Sequence, residues 1–511
     1  MTLFLSNTKR KLSSIALLTA TLLAAMATIA DTKPVLTGRP YQKPVELDTS
    51  LPSDSTNNLP ELGDVSQTVL SPLDEQRIAA QILREVAASD EVVQDVEVID
   101  YLQALGNRLA AASDDKRQVF NFFVVNDASI NAFAMPGGVI GVHTGLFLAA
   151  NTESELAGVL GHEIGHVTQH HLARMLAKQK TDTFKNIAGI AVALLVARAN
   201  PELANGALAA SSAAGIQRQL DYTREHEREA DRVGLTVLEN AGFDPRGMPA
   251  FFTTLQRGSR FSEGGAPSFL RTHPLTVERI ADVSNRVETM PYKQVADSLD
   301  FQLVRAKLRA GNGLAQTEID QFQDNIKEGR YANEIAEHYG LGVALLRKND
   351  VVGATNQLKW LKTNGVKSVF VENLSARVEV ARGNPQASAS QYAKALAIFP
   401  NNRALIYGYA EHFLAIRQPE KAITLLQEKQ KIHTADAYLY ELLAKAHAIK
   451  GQNLLSYQAQ SEAYFRKYNL KKAVEQMEFA AKAKDGSFYE QSIVEARLKE
   501  LKRQQDNEKP V

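Results

Sequence analysis

The sequence predicts a mostly α-helical protein in two parts: a helical domain with a small β-sheet around a metal site and, after it, an α-solenoid. Three observations predict it. Helical patterning starts at Leu73 and is interrupted by one β-rich stretch. His162-Glu163-Ile164-Gly165-His166 lies inside a long helical run. Small residues recur every 34 positions in the C-terminal half, the period of a helix-turn-helix repeat. With 511 residues the chain is long enough for at least two domains.

Composition narrows the chemistry. Lys+Arg and Asp+Glu both number 58, which excludes a nucleic-acid binder working by bulk charge, and no nucleic-acid partner is expected. There is no cysteine, so disulfides, catalytic thiols, iron–sulfur clusters and thiolate-bound zinc are excluded. Any metal must sit on His, Asp or Glu.

Lys9, Arg10 and Lys11 precede an apolar run from Leu12 to Ala30, with Ala25-Met26-Ala27 as a cleavage site and Thr28-Ile29-Ala30 as a looser one. This is the layout of a secretory signal peptide over residues 1–30; an uncleaved membrane anchor is the other reading. Cleavage removes three of the 58 basic residues and none of the 58 acidic ones, leaving 55 against 58. The expected compartment is the bacterial periplasm. Residues 31–72 hold six of the seventeen prolines among many Ser, Thr, Asp and Asn, and predict an unstructured leader.

From Leu73 the elements follow in order. Helices are predicted at about 73–88 and 92–111, the second carrying Val93, Val96, Leu102, Leu105 and Leu109. Val119–Val125 and Val139–Val142 are β-rich and flank Asn131-Ala132-Phe133-Ala134-Met135-Pro136-Gly137-Gly138, which predicts a small antiparallel sheet with a Pro-Gly-Gly turn. Glu153 to Lys178 reads as one long helix.

That helix carries the chemistry. His162 and His166 are one turn apart and face the same way, so their imidazoles can share one Zn²⁺. Glu163 can reach the open coordination position and take a proton from a water there. Gly158, Gly161 and Gly165 each cost ~1 kcal/mol against Ala in a helix, which points to close approach of another backbone or a ligand. A later helix, Tyr222 to Leu235, places Glu227 and Asp231 one turn apart; one can bind metal while the other holds a ligating imidazole. Arg224, Arg228 and Glu229 read as a solvated face. His143, His170 and His171 read as ordinary polar residues.

Between these helices lies Phe184 to Gly215, first apolar (Ile187 to Ala197), then rich in Ala, Ser and Gly. About eleven apolar residues cannot span a bilayer, which needs ~20. The segment is either a buried helix pair or a mobile flap over the site that touches a membrane or an unfolded substrate.

In the C-terminal half Gly342, Ala376, Ala410 and Ala444 share one register. Ala354, Ser388, Ala422 and Ser456 share a second, and Leu358, Tyr392, Leu426 and Gln460 a third. Small residues at the first two places, with Pro400 closing a unit, are the tetratricopeptide signature: they let paired helices approach closely. Residues 300–340 and 466–501 read as less regular capping repeats. Such an array offers a concave face to extended peptides or partner proteins.

His-Glu-x-x-His at 162–166, Glu-x-x-Ala-Asp at 227–231 and the Asn-Ala-Phe-Ala-x-Pro-Gly-Gly before them resemble the gluzincins related to the CAAX prenyl protease, within them the members that carry tetratricopeptide repeats. The resemblance covers nearly all of the mature chain. It implies a helical zincin-type metalloprotease domain with a small β-sheet over residues 73–290, followed by a tetratricopeptide-repeat domain over residues 300–501. It implies one Zn²⁺ per subunit on His162, His166 and Glu227, with Glu163 as general base. Asp231 matches the family's second acidic residue, assigned to ligand orientation or proton donation; its place one turn from a ligand favours orientation. His273, in Arg271-Thr272-His273-Pro274-Leu275 and followed by Arg279, matches a His-Pro that can occupy the open zinc position and keep the enzyme silent. The bland alternative is a loop histidine before a helix-starting proline.

The implied function is a periplasmic zinc endopeptidase acting on unfolded or misassembled outer-membrane β-barrel proteins, with a chaperone-like role in their assembly. Contact with the β-barrel assembly machinery and peripheral association with the outer membrane are implied as well. The strand near Val139–Val142 is expected to hold substrate by β-augmentation. The rival reading is a non-catalytic repeat chaperone or adaptor with a silent metal site.

Overall fold

The computed structural model describes residues 70–179, 224–261 and 268–507. The expected signal peptide (1–30), nearly all of the expected leader (31–72) and the apolar segment 184–215 lie outside the described residues.

Helix α1 (Pro72–Ala88) starts where the patterning does. The Ser71 hydroxyl accepts the Asp74 amide at 3.2 Å, and Pro72 fills the first turn, where a missing N–H costs nothing. Asp95 caps α2 (Val96–Ala110) in the same way.

The sheet differs from the expectation. β1 (Asn121–Val125), β2 (Ala132–Met135) and β3 (Val139–His143) lie in the order β1-β3-β2. β3 is parallel to β1, with Val139 opposite Asn121, and antiparallel to β2, with Ile140 opposite Ala134. The two β-rich runs are therefore parallel neighbours, because Ala132–Met135 between them is itself the reversing strand. Pro136–Gly138 makes the turn into β3, with Gly137 at φ +72° beside α1; a Cβ there would stand 2.7 Å from the Ala79 Cβ. Since β3 is the central strand, both its edges are taken. The expected β-augmentation along Val139–Val142 is thus corrected: β2 is an edge strand among the described residues and β3 is not.

The long helix expected over Glu153–Lys178 is two helices. After α3 (Thr144–Ala149), α4 (Glu153–Thr168) ends at Gln169, His170 takes φ 50°, and α5 (His171–Gln179) starts anew. α6 (Arg224–Asn240) then crosses α4 along its glycine stripe. A Cβ on Gly161 would meet the Gly234 carbonyl oxygen at 3.0 Å, and one on Gly165 would meet that of Ala230 at 2.9 Å. The close approach expected at these glycines is that of the α6 backbone. α7 (Gly247–Phe261), α8 (Ser268–Thr272) and α9 (Val277–Thr289) complete the layer; Phe251, Phe269 and Val283 bury against Leu156, Ile164 and Leu235.

From Leu299 to Asn507 the described residues form twelve helices. The pairs Glu334–Arg347/Val351–Thr363, Val369–Ala381/Pro385–Ile398, Arg403–Ala415/Pro419–Gln430 and Ala437–Ile449/Asn453–Arg466 carry the repeat. Ala376, Ala410 and Ala444 are buried on the first helix of their pairs, and Ala354, Ser388 and Ala422 on the second. The turn inside each pair holds a left-handed residue at the same register: Asn349, Gly383, Arg417 and Gly451, with φ between 58° and 71°.

Repeats and metal-site helices share one core, in which Leu102, Leu109 and Phe147 cluster with Phe301, Val304 and Phe370. α4 and the helix Leu299–Gly311 also cap each other. Glu153 accepts the Ser298 amide at 2.9 Å, while Asp297 accepts the Glu153 amide at 2.7 Å. On α2, buried Glu97 pairs with Lys307 and accepts from Asn373; burial pushes its carboxyl pKa up and Lys307 opposes it.

Candidate metal centre

α4 and α6 cross closely because glycines line the crossing, and this brings Glu227 over His162 and His166. All three side chains are buried. The Nε2 atoms of His162 and His166 lie 3.0 Å apart. Glu227 Oε1 is 3.4 Å from His166 Nε2, and Oε2 is 3.5 Å from His162 Nε2. His273 follows α8, stacked on the Phe269 ring at 4.6 Å between centroids. Its Nδ1 lies 3.4 Å from His162 Nε2 and 2.9 Å from Glu227 Oε1. The four donors all fall within 4.8 Å of one another. A nitrogen and oxygen donor set this compact could hold one metal ion.

Charge supports the same conclusion. Glu163, Glu227 and Asp231 are three buried carboxylates, and the buried cations beside them are the Arg279 guanidinium and the His162 imidazole. Buried charge persists only when compensated, and a divalent cation compensates it. Burial pulls His162 down, but Asp231 and Glu227 outweigh it and hold the imidazole at about 9; burial takes His166 to about 3 against the pull of Glu227. At Glu227 burial pushes upward, and His273, His162 and His166 together hold the carboxyl well below its usual range.

Glu163 stands apart from the other acids. It is fully buried with no side-chain hydrogen-bond partner, and the Ala134 amide of β2 is near enough to favour the charged form. His273 Nε2 lies 3.5 Å from its Oε1. Burial raises its pKa, with His273 and His162 opposing. The structure thus sets an unengaged base beside the donor cluster.

Asp231 Oδ1 lies 2.9 Å from His162 Nδ1, off the direction of an aligned hydrogen bond. Arg279 donates to both Asp231 oxygens at 2.8 Å and places Nη1 2.6 Å from Glu227 Oε2. One arginine therefore clamps two acids of α6, Glu227 and Asp231. The sequence offered Arg279 only as a neighbour of His273; its partners lie 48 residues earlier on another helix.

Two residues read as unremarkable belong to the centre. His171 is buried with Nδ1 3.0 Å from His166 Nδ1, and Glu229 accepts from it rather than lying on a purely solvated face. The corrections share a cause, since the chain break at His170 turns α5 back against α6. His143 instead pairs with Ser129 and Asp127 at the end of β3.

Residues 99–287 match peptidase family M48, and residues 379–446 match the tetratricopeptide repeat. The chain is 31% identical over 471 residues to the beta-barrel assembly-enhancing protease of Yersinia pestis, covering 92% of this chain and 96% of that one. It is 28% identical over 459 residues to the protein of the same name in Escherichia coli K12, covering 90% and 94%. It is 30% identical over 185 residues to the mitochondrial metalloendopeptidase OMA1 of Arabidopsis thaliana, covering 36% and 35%. The buried donor cluster lies wholly within the matched peptidase region or its immediate crossing helices, and the repeats follow in the same chain. On these grounds the chain belongs to the beta-barrel assembly-enhancing protease family within peptidase family M48, a metalloendopeptidase with tetratricopeptide repeats.

Proposed function

We propose that the protein is a zinc endopeptidase of the bacterial periplasm that degrades misassembled outer-membrane β-barrel proteins and assists their assembly. The observation that carries the catalytic part is an unengaged buried Glu163 beside a compact His162, His166, Glu227 donor set. The substrate class is supported by the names of the relatives, which are assembly-enhancing proteases along most of their length. Delivery by a cleaved signal peptide over residues 1–30, peripheral contact with the outer membrane and docking on the β-barrel assembly machinery belong to the same proposal. Among the described residues no helix is long and apolar enough to cross a membrane.

His162, His166 and Glu227 would hold the zinc ion, with the His273 imidazole beside them as a further donor at rest. When bound, zinc polarises the scissile carbonyl and acidifies a water. An extended substrate segment pairs with β2, an edge strand among the described residues, whose Ala134 amide lies near Glu163. Glu163 accepts the proton of the attacking water and delivers it to the departing amide nitrogen as the C–N bond breaks. Asp231, fixed by Arg279, orients His162. His273 must swing away before substrate enters, so basal activity is low. The protease reading is favoured over a silent adaptor because a vestigial site has no reason to keep three buried carboxylates.

The test is cleavage of casein and of an unfolded outer-membrane β-barrel protein, with chelator and with zinc restored. Cleavage abolished by chelator and recovered with zinc supports the proposal; cleavage indifferent to chelator contradicts it.

A further inference from the structure

His171 Nε2 lies 3.0 Å from Glu229 Oε2, and His171 Nδ1 lies 3.0 Å from His166 Nδ1. An ionised carboxylate only accepts, so His171 presents Nε2–H to Glu229, which leaves its Nδ1 to face His166. Facing nitrogens at this distance share one proton, and with His171 accepting on Nδ1 the donor is His166 Nδ1–H. Its Nε2 is then the lone pair, and it is this atom that stands 3.0 Å from His162 Nε2 and 3.4 Å from Glu227 Oε1. A contiguous line of contacts thus runs from Glu229 through His171 and His166 to the donor cluster.

The outer members are themselves held. Arg174 donates to the same Glu229 oxygen at 2.9 Å. His226 stacks on the His171 ring at 4.6 Å between centroids, with 19° between planes. We infer that His171 and Glu229 are positioning residues for the metal centre, a relay that sets the tautomer and ring plane of His166. The inference rests on His166 being a ligand. Both α4 histidines then have a carboxylate of α6 behind them: Asp231 lies directly beside His162 Nδ1, and Glu229 reaches His166 through His171. Carboxylate–histidine support of a ligand typically changes metal affinity by about 10–100-fold.

The experiment reads metal release from the zinc-loaded full chain to a chromophoric chelator, alongside kcat and KM for casein. His171→Leu fills the site without a nitrogen, and should release zinc at least tenfold faster. His171→Asn keeps an acceptor near the Nδ1 position and should stay within about threefold of wild type. Glu229→Gln, half exposed and harmless to folding, should speed release severalfold, because an amide can present N–H to His171 and scramble its proton. A structural role alone would make Asn and Leu fail together. Equal release from wild type, His171→Leu and Glu229→Gln overturns the relay, as does equal failure of Leu and Asn. His162→Ala serves as the ligand control: if it too retains zinc, the underlying metal assignment fails, whereas loss from His162→Ala with intact His171 variants overturns the relay alone.

Discussion

Arg279 donates Nε to Asp231 Oδ2 and Nη2 to Oδ1, both at 2.8 Å, with neither side chain reaching solvent. The same guanidinium approaches Glu227, so it offsets negative charge that the metal site accumulates. Removing one partner of such a buried pair strands the other. Arg279→Met should cost about 3–5 kcal/mol of stability in the metal-free protein. The loss should shrink when zinc is bound, since the cation takes over part of the compensation. Urea unfolding with and without chelator checks this; a loss below ~1 kcal/mol in the metal-free form would show the clamp to be dispensable.

His273 provides a second prediction, decided by sign. Nδ1 sits among the donors and Nε2 faces Glu163, so the ring fills the space that water and substrate need. His273→Ala should raise basal casein cleavage at equal zinc content. A donor to the transition-state oxyanion would instead make the same substitution lower the rate by ~10²–10³.

The α4–α6 crossing gives a third. Alanine at position 165 should gain ~1 kcal/mol of helix propensity. Its Cβ, however, would press on the Ala230 carbonyl oxygen at 2.9 Å, next to Asp231 and three residues after Glu227. Overpacking of this kind costs about 1–3 kcal/mol. Gly165→Ala should therefore lower both stability and zinc retention. Gly311→Ala, with open space around it, should do neither. Thermal midpoints and zinc content of the two variants, measured together, separate crossing geometry from propensity.

The repeat turns give a fourth. Arg417 holds the left-handed conformation that Gly383 and Gly451 hold one repeat either side. A left-handed non-glycine costs about 1–2 kcal/mol, while glycine loses about 0.5–1 kcal/mol in chain entropy. Arg417→Gly should thus stabilise the solenoid by up to ~1 kcal/mol. A fall in the unfolding midpoint would mean that the Arg417 side chain contributes more than its backbone strain costs.

Much of this was legible in the sequence because it lies in local spacing. His162 and His166 one turn apart, the glycines at 158, 161 and 165, and the 34-residue register each declare a helix face without reference to distant residues. The misreadings needed partners far away in the chain. Ala132–Met135 has too few residues for a clear alternation, so its role as the reversing strand was hidden and β1 and β3 seemed to pair as a hairpin. Gln169-His170-His171 contains neither Gly nor Pro, and the apolar pattern runs through it, so nothing announced the break that carries His171 to His166. Arg279 was unreadable for the same reason: an arginine on an amphipathic helix looks solvated until α6 supplies Asp231 and Glu227.

The most direct measurement is zinc content and casein cleavage of Glu163→Gln beside wild type. Glutamine keeps the shape of Glu163 and an oxygen that can face the Ala134 amide, so it should leave fold and zinc in place. It cannot accept the proton of the attacking water, and loss of a general base costs ~10²–10⁴-fold in rate. The account predicts one zinc ion per chain and cleavage reduced by at least two orders of magnitude. Cleavage at the wild-type rate by a zinc-loaded Glu163→Gln would contradict it.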